Sequence, residues 1–119
     1  MTPTHHALTV KPENAAVVSG SSATFLCTSD STDINWFYGS TKLADRCELN
    51  PSFAGTYRLE HDPVTGVCNL VVLSAMRAQE GKYMCMESDG FESELLTAHL
   101  VVIGRFFWFR IFSFLMSSR

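Results

Sequence analysis

Residues 70–85 read Leu-Val-Val-Leu-Ser-Ala-Met-Arg-Ala-Gln-Glu-Gly-Lys-Tyr-Met-Cys, and this stretch decides the fold of the chain. Its last five residues have the form Gly-x-Tyr-x-Cys and end at Cys85. Upstream, Cys27 is followed nine positions later by Trp36. A cysteine, a tryptophan shortly after it and a Gly-x-Tyr-x-Cys close occur together in one type of β-sandwich, where each residue has its own packing role. The four elements in this order therefore predict such a sandwich.

Short segments of alternating or continuous apolar character, separated by turn residues, run along the rest of the chain. This pattern is typical of β-strands, and no helical periodicity of useful length occurs. Residues 46–55 have the composition of an irregular connection. An all-β domain is expected, with strands over residues 9–11, 15–18, 23–27, 34–38, 41–44, 56–60, 68–73, 82–87 and 94–103.

Length and charge restrict the organisation and the function. The 119 residues suffice for one sandwich core, so we expect a flank at 1–7, one domain at 8–103 and a separate tail at 104–119. Residues 1–104 carry six basic and twelve acidic side chains, and the other three arginines lie in the tail. An acidic domain of this kind is a poor nucleic-acid binder, which needs a basic face.

Over about residues 8–103 the chain resembles the immunoglobulin superfamily, and the V-set and I-set domain types fit best. The resemblance implies an antiparallel two-sheet Greek-key sandwich and a role in cell adhesion or as an immune-type receptor. Cys27 and Cys85 stand 58 positions apart, which is short for a full variable domain and long for the most compact type. A C′ strand is therefore expected over residues 41–44, and a C″ strand after it is doubtful. In the same nomenclature strand C covers residues 34–38, strand E residues 68–73 and strand F residues 82–87.

The resemblance also assigns structural roles. Cys27 and Cys85 would form the disulfide between the two sheets, and Trp36 would pack against it. Tyr83 would form the tyrosine corner at the start of strand F. The remaining structural positions of the pattern are Gly81 and Leu70.

Two cysteines, Cys47 and Cys68, remain once the resemblance has paired Cys27 with Cys85. In this fold strand C′ ends and strand E begins at the same end of the sandwich, so the two residues should lie near each other. A second disulfide is the favoured interpretation, and separate free thiols or metal ligands are the alternatives. Metal binding is disfavoured because no Cys-x-x-Cys or nearby histidine spacing occurs.

A candidate protein-binding surface follows from the two-residue period of strands. If Trp36 and Cys85 point inward, their neighbours on strands C and F point outward. Exposed Phe and Met are enriched at interfaces, and the resemblance implies that this face is used for dimerisation or adhesion. Cover by the tail or by a neighbouring domain, or plain exposure, are the alternatives. The predicted binding residues are Asn35, Phe37, Met84, Met86 and, as an anchor at the tip of the Asp89-Gly90 turn, Phe91.

The two ends of the chain carry separate expectations. Residues 1–10 lack the basic and apolar regions of a signal peptide, and the even cysteine number favours an extracellular, secreted or cell-surface, domain. Residues 105–116 are rich in Phe and contain Arg110, which makes them too short and too interrupted to span a bilayer. The tail is interpreted as a gene-prediction artefact, the start of a membrane segment, or a segment contacting the membrane interface.

No residue pattern indicates catalysis, because no nucleophile–base arrangement and no phosphate-binding loop can be identified. We therefore expect a non-enzymatic domain without cofactor or metal that binds a protein partner, either another copy of itself or a different receptor or ligand. Two alternatives stay open. One is a structural module of a multidomain, possibly intracellular filamentous, protein. The other is a soluble pattern- or carbohydrate-binding domain, for which Tyr38 and Phe91 are weak stacking platforms.

Overall fold

The computed structural model describes residues 8–30, 33–87 and 95–104, and within these ranges the chain forms eleven β-strands. Two short 3₁₀ helices lie in the connections, at Pro51–Phe53 and Arg77–Gln79. The strands are β1 (Leu8–Val10), β2 (Ala15–Val18), β3 (Ala23–Phe25), β4 (Thr28–Ser29), β5 (Ile34–Tyr38), β6 (Thr41–Asp45), β7 (Glu48–Leu49), β8 (Tyr57–Asp62), β9 (Val67–Val72), β10 (Gly81–Glu87) and β11 (Leu95–Ile103).

The strands form two sheets. The first has the order β1–β4–β9–β3, with β8 also paired to β9, and the second has the order β2–β11–β10–β5–β6–β7. Strand pairing is antiparallel except between β2 and β11, which run parallel. Strands distant in sequence are neighbours in space, as β5 and β10 show. The all-β two-sheet sandwich predicted from the sequence is confirmed.

The core between the sheets is built around three aromatic rings. Phe25 lies between Trp36 and Tyr83, with ring centroids 6.4 Å and 5.1 Å away, and none of the three is exposed. Leu70 and both cysteines of the Cys27–Cys85 pair are also completely buried. Burial of large aromatic side chains is a major favourable contribution to folding. Trp36 and Cys85, the inward positions from which the binding surface was predicted, are therefore in the core.

The predicted strand over residues 23–27 is interrupted in the structure. It ends as β3 at Phe25 and resumes as β4, although its register with β9 continues across the gap. At the gap the side chain of Asn69 replaces a backbone partner, because its Oδ1 accepts a hydrogen bond of 3.1 Å from the N–H of Cys27. Leu26 lies between two completely buried residues, Phe25 and Cys27, and is itself 47% exposed.

The segment 46–55, predicted to be irregular, contains regular structure. β7 pairs with the end of β6, so the doubtful C″ strand is present as a two-residue strand. The following 3₁₀ helix begins after Asn50, whose side chain accepts a 3.0 Å hydrogen bond from the N–H of Ser52. Asparagine is a favoured helix cap because its side-chain oxygen satisfies a free backbone donor in this way.

Candidate protein-binding face and the two disulfides

The disulfide between Cys27 and Cys85 connects the two sheets, as the resemblance implied. Trp36 lies directly opposite Cys85 in the pairing of β5 with β10. Its indole Nε1–H donates a hydrogen bond of 2.9 Å to the carbonyl oxygen of Cys68, on β9 of the other sheet. The tryptophan therefore satisfies its one polar group while its ring stays completely buried.

Tyr83 forms the expected tyrosine corner. Its hydroxyl donates a hydrogen bond of 2.7 Å to the carbonyl oxygen of Gln79, four residues upstream. The same hydroxyl lies 2.8 Å from that of Tyr57 on β8, so the corner also connects the two sheets. Burial raises the pKa of both hydroxyls above their ordinary value of 10.0, and for Tyr83 the hydrogen bond with Tyr57 raises the pKa further.

Gly81 is required by its conformation and its surroundings. Its φ of 139° is rarely adopted by other residues, and an added Cβ would lie 3.1 Å from the hydroxyl oxygen of Tyr38. The ring of Tyr38 packs against Tyr83 with centroids 4.9 Å apart, and its hydroxyl donates to the carbonyl of Glu80. Tyr38 is therefore engaged in the fold and does not offer the open ring that a carbohydrate platform needs.

Cys47 and Cys68 form the second disulfide, so the favoured interpretation of these residues is correct. Cys68 lies within β9 and is 1% exposed, whereas Cys47 is 7% exposed and lies in the turn between β6 and β7. The described residues contain no free cysteine, and no group of three or more His, Cys, Asp or Glu side chains among them could hold a metal ion.

The turn that carries Cys47 has an unusual backbone for its sequence. Asp45 pairs with Glu48, so Arg46 and Cys47 are the two central residues, and their φ angles are 52° and 54°. Positive φ at both positions is the signature of a type I′ hairpin turn, which strongly prefers Asn-Gly or Gly-Gly. A residue other than glycine in this region costs about 1–3 kcal/mol.

Two hydrogen bonds donated by the backbone N–H groups of its central residues support this turn. The N–H of Cys47 donates to the carbonyl of Ile34, and the N–H of Arg46 donates to Oδ1 of Asn35, each at 2.7 Å. A hydrogen bond typically contributes only about 0.5–1.5 kcal/mol net. The pairing of β7 with β6 and a 2.9 Å hydrogen bond from the N–H of Asn50 to the carbonyl of Leu43 also hold the hairpin, and the disulfide adds a covalent restraint on its two residues at positive φ.

Asn35 was predicted to be an exposed binding residue, and the structure corrects this. Its position in β5 alternates with Trp36 as expected, but it is only 6% exposed. The β6–β7 turn covers it, and its carboxamide oxygen is used by the N–H of Arg46. Asn35 therefore positions the turn, because the hairpin folds over the surface that the alternation alone would leave open.

The other predicted binding residues of strands C and F lie together on the outward side of the second sheet. Phe37 is directly opposite Met84 in the pairing of β5 with β10, and Met86 is two residues further along β10. All three side chains are half-buried. Phe91 lies outside the described residues. Leu95, which the sequence analysis did not select, is opposite Met86 in β11 and is 51% exposed. We call Phe37, Met84, Met86 and Leu95 the apolar face.

Basic side chains border the apolar face. Lys42 lies opposite Phe37, with its Nζ 5.9 Å from the ring centroid and 3.3 Å from Oδ1 of Asp45. Lys82 is two residues before Met84, and His99 lies opposite Lys82. All three are exposed. Two of the chain's three lysines thus lie beside the apolar face, although the domain as a whole is acidic.

The chain has an immunoglobulin-like fold. This conclusion agrees with solved structures that superpose on it at low sequence identity. The titin M10–obscurin-like 1 Ig complex has a TM-score of 0.68 at 19% identity, covering 83% of this chain and 94% of that chain. Titin domains Z1Z2 in complex with telethonin have a TM-score of 0.71 at 20% identity, and the match covers 88% of this chain and 51% of that chain. Rst D1-D2 has a TM-score of 0.71 at 17% identity, and the match covers 85% of this chain and 50% of that chain.

The last two matches show that this immunoglobulin-like domain spans about half the length of those chains. No protein-family model matches the sequence, and no curated protein sequence matches it. None of the helices in the described part of the chain is long and apolar enough to cross a membrane.

Proposed function

We propose that this immunoglobulin-like domain is a non-enzymatic module that acts by binding another protein through the apolar face. The observation that carries the proposal is the row of Phe37, Met84, Met86 and Leu95 across three neighbouring strands. Aromatic side chains and methionine are enriched at protein interfaces, and a few buried apolar anchors usually supply most of the binding energy. Cell adhesion or immune-type recognition is the setting that the resemblance suggests.

The surroundings of the apolar face favour a particular kind of partner. Lys42 and Lys82 place positive charge beside the apolar face of a domain whose net charge is negative. Complementary charge around an apolar centre accelerates association and excludes wrong partners more than it raises affinity. The preferred partner is a protein that presents an apolar side chain surrounded by carboxylates.

The second candidate is a structural module of a multidomain protein, and the comparisons favour this class. Several of the superposable structures contain titin domains, and the complexes among them pair titin with an obscurin-like 1 Ig domain or with telethonin. In a structural module the apolar face would be covered by a neighbouring domain or by a filament partner.

The two disulfides support an oxidising compartment, and we propose that the domain works at the cell surface or outside the cell. Disulfides form and persist in such compartments and are rare in the cytosol, where thiols are kept reduced. A count of free thiols on protein isolated from its native source under alkylating conditions tests this. Zero thiols is the expected result, and four would favour an intracellular structural module.

Sedimentation equilibrium of a chain ending at Gly104 tests binding through the apolar face. If the partner is another copy, the wild type shows a concentration-dependent dimer, and Phe37→Glu abolishes it by placing an unpaired charge in the contact. Val64→Glu is the matched control, because Val64 is 92% exposed in the turn after β8, away from this face. A dimer that survives Phe37→Glu would contradict the assignment of the face.

A wild type that stays monomeric at high concentration removes the homophilic version of the proposal. The module would then bind a different protein or act as a structural unit. The free-thiol count separates those two possibilities.

A further inference from the structure

We propose that the Cys47–Cys68 disulfide is a redox-sensitive clamp: its reduction opens the β6–β7 hairpin while the sandwich stays folded. The first argument is the backbone of the turn. Arg46 and Cys47 have φ angles of 52° and 54°, which disfavour both side chains. The hairpin is otherwise held by two residue pairs between β6 and β7 and by single hydrogen bonds at Arg46, Cys47 and Asn50, so the disulfide is the one covalent restraint on this conformation.

The second argument is access. Cys47 is 7% exposed, whereas Cys27 and Cys85 are completely buried and Cys68 is 1% exposed. A thiolate must reach a disulfide sulfur to attack it, so a reductant encounters the Cys47–Cys68 bond before the bond in the core. Cys47 also lies in a turn at the end of an edge hairpin, where local opening needs the loss of only two residue pairs, Asp45 with Glu48 and Ala44 with Leu49.

The third argument is that Cys68 does not depend on the disulfide for its position. Its N–H donates to the carbonyl of Cys27 at 2.9 Å, and its carbonyl accepts from the indole of Trp36 at 2.9 Å. β9 pairs with β3, β4 and β8 on both sides. Reduction therefore releases one side of the bond, the β6–β7 turn, and leaves the other side in the core.

The chemistry is a thiol–disulfide exchange with a dithiol reductant. One thiolate of the reductant attacks Sγ of Cys47, forms a mixed disulfide and displaces Cys68 as a thiolate. The second thiolate of the reductant then attacks the reductant's sulfur in this mixed disulfide. This attack displaces Cys47 as a thiolate. The reductant leaves as an intramolecular disulfide, and the two protons it loses are taken up by the two protein thiolates.

Opening the hairpin changes the surface beside the apolar face. The turn that covers Asn35 moves away, and Asn35 lies opposite Met86 in the sheet. The hairpin also forms one wall of a groove of about 450 Å³ that Lys42, Leu43, Glu48, Leu49 and Pro51 help to line. The opening of the hairpin on reduction is independent of the proposed function. An effect of this opening on protein binding rests on the proposed function of the apolar face.

The test is a titration of the full-length chain with dithiothreitol, followed by iodoacetamide trapping and mass spectrometry. We expect Cys47 and Cys68 to be alkylated before Cys27 and Cys85. In the partly reduced protein, hydrogen exchange at the amides of Arg46 and Cys47 should accelerate at least about tenfold, while the amide of Cys68 stays protected. Simultaneous reduction of both disulfides, or unchanged exchange at Arg46 and Cys47, would overturn the proposal.

Two variants separate the clamp from a general loss of structure. Cys47→Ala with Cys68→Ala should show fast exchange at positions 46 and 47 even without reductant. The second variant combines Arg46→Asn, Cys47→Gly and Cys68→Ala, so that the preferred type I′ dipeptide Asn-Gly stands in the turn. We expect hydrogen exchange at positions 46 and 47 of this variant to be as slow as in the oxidised wild type. If both variants protect these amides, the disulfide is not a clamp. If neither does, the backbone argument is wrong.

Discussion

The two disulfides of this domain lie in opposite kinds of surroundings. The Cys27–Cys85 bond is completely buried beside Trp36, Phe25 and Tyr83, whose rings would hold this part of the core together in any case. The Cys47–Cys68 bond holds a turn whose two residues disfavour their own backbone angles. The first bond reinforces a region that the sequence already favours, and the second imposes a conformation that the local sequence does not favour.

Trp36→Ala is expected to have the largest effect, because Trp36 contacts both regions. The substitution removes a completely buried ring and leaves the carbonyl of Cys68 without its 2.9 Å donor. Large-to-small substitutions of this kind cost about 3–5 kcal/mol of unfolding free energy, which urea denaturation would measure. A loss below about 1 kcal/mol would mean that the core region is not supported by its aromatic rings.

Removing each disulfide in turn tests the difference between the buried Cys27–Cys85 bond and the Cys47–Cys68 bond of the turn. Loop-closure entropy predicts a loss of about 4 kcal/mol for the bond of sequence separation 58 and about 3 kcal/mol for the bond of separation 21. The second loss should be smaller than this value, because the freed turn escapes its unfavourable φ angles. The measurement is urea unfolding of Cys27→Ala with Cys85→Ala against Cys47→Ala with Cys68→Ala. Equal losses would contradict the comparison.

The tyrosine corner predicts a stability loss in alkali. The pKa of Tyr83 and of Tyr57 is raised in the folded state, so their stabilisation is complete below pH 10 and is lost as the pH rises above it. Each hydroxyl that ionises only on unfolding costs up to about 1.4 kcal/mol per pH unit. Unfolding free energies measured from pH 9 to 11 should fall less steeply in Tyr57→Phe and in Tyr83→Phe. Equal slopes in all three proteins would exclude this coupling.

Lys42→Ala should have the smallest effect on stability, below about 0.5 kcal/mol, because Lys42 and Asp45 are an exposed pair. Asp45→Ala is the matched control for the pair. If the apolar face binds an acidic partner, Lys42→Ala should instead slow association, and the difference from wild type should shrink in high salt. A large loss of thermal stability in Lys42→Ala would show that this residue supports the hairpin.

The fold and the core residues could be predicted because their signals are local and periodic. The residues to which the resemblance gave structural roles in the core, Cys27, Trp36, Tyr83 and Cys85, are all completely buried. Strand β5 was predicted with its observed bounds, Ile34–Tyr38. A strand that packs one face on a core repeats its apolar residues at every second position, and this is visible in one sequence without any knowledge of the neighbours.

The errors have a different origin, namely contacts between segments distant in sequence. Asn35 is buried because the turn at Arg46 folds over it, and β3 ends early because Asn69 binds the backbone of Cys27. Neither contact is visible in the alternation of apolar and polar residues along the strand that it affects. Leu95 was not selected, although it follows the period of β11 and lies opposite Met86. Phe91 and the tail beyond Gly104 lie outside the described residues.

The positions of the four cysteines along the chain have a consequence for folding. Residues 47 and 68 lie inside the loop that the bond from Cys27 to Cys85 closes, so the two bonds are nested and do not interleave. The inner pair, with the shorter separation, has the smaller entropic cost of closure. Once formed, it shortens the chain that separates Cys27 from Cys85 and so lowers the entropic cost of closing the outer loop. The inner bond therefore assists the outer one, whereas loop length alone does not select the inner pair, because the non-native pairs Cys27–Cys47 and Cys68–Cys85 close loops of similar length.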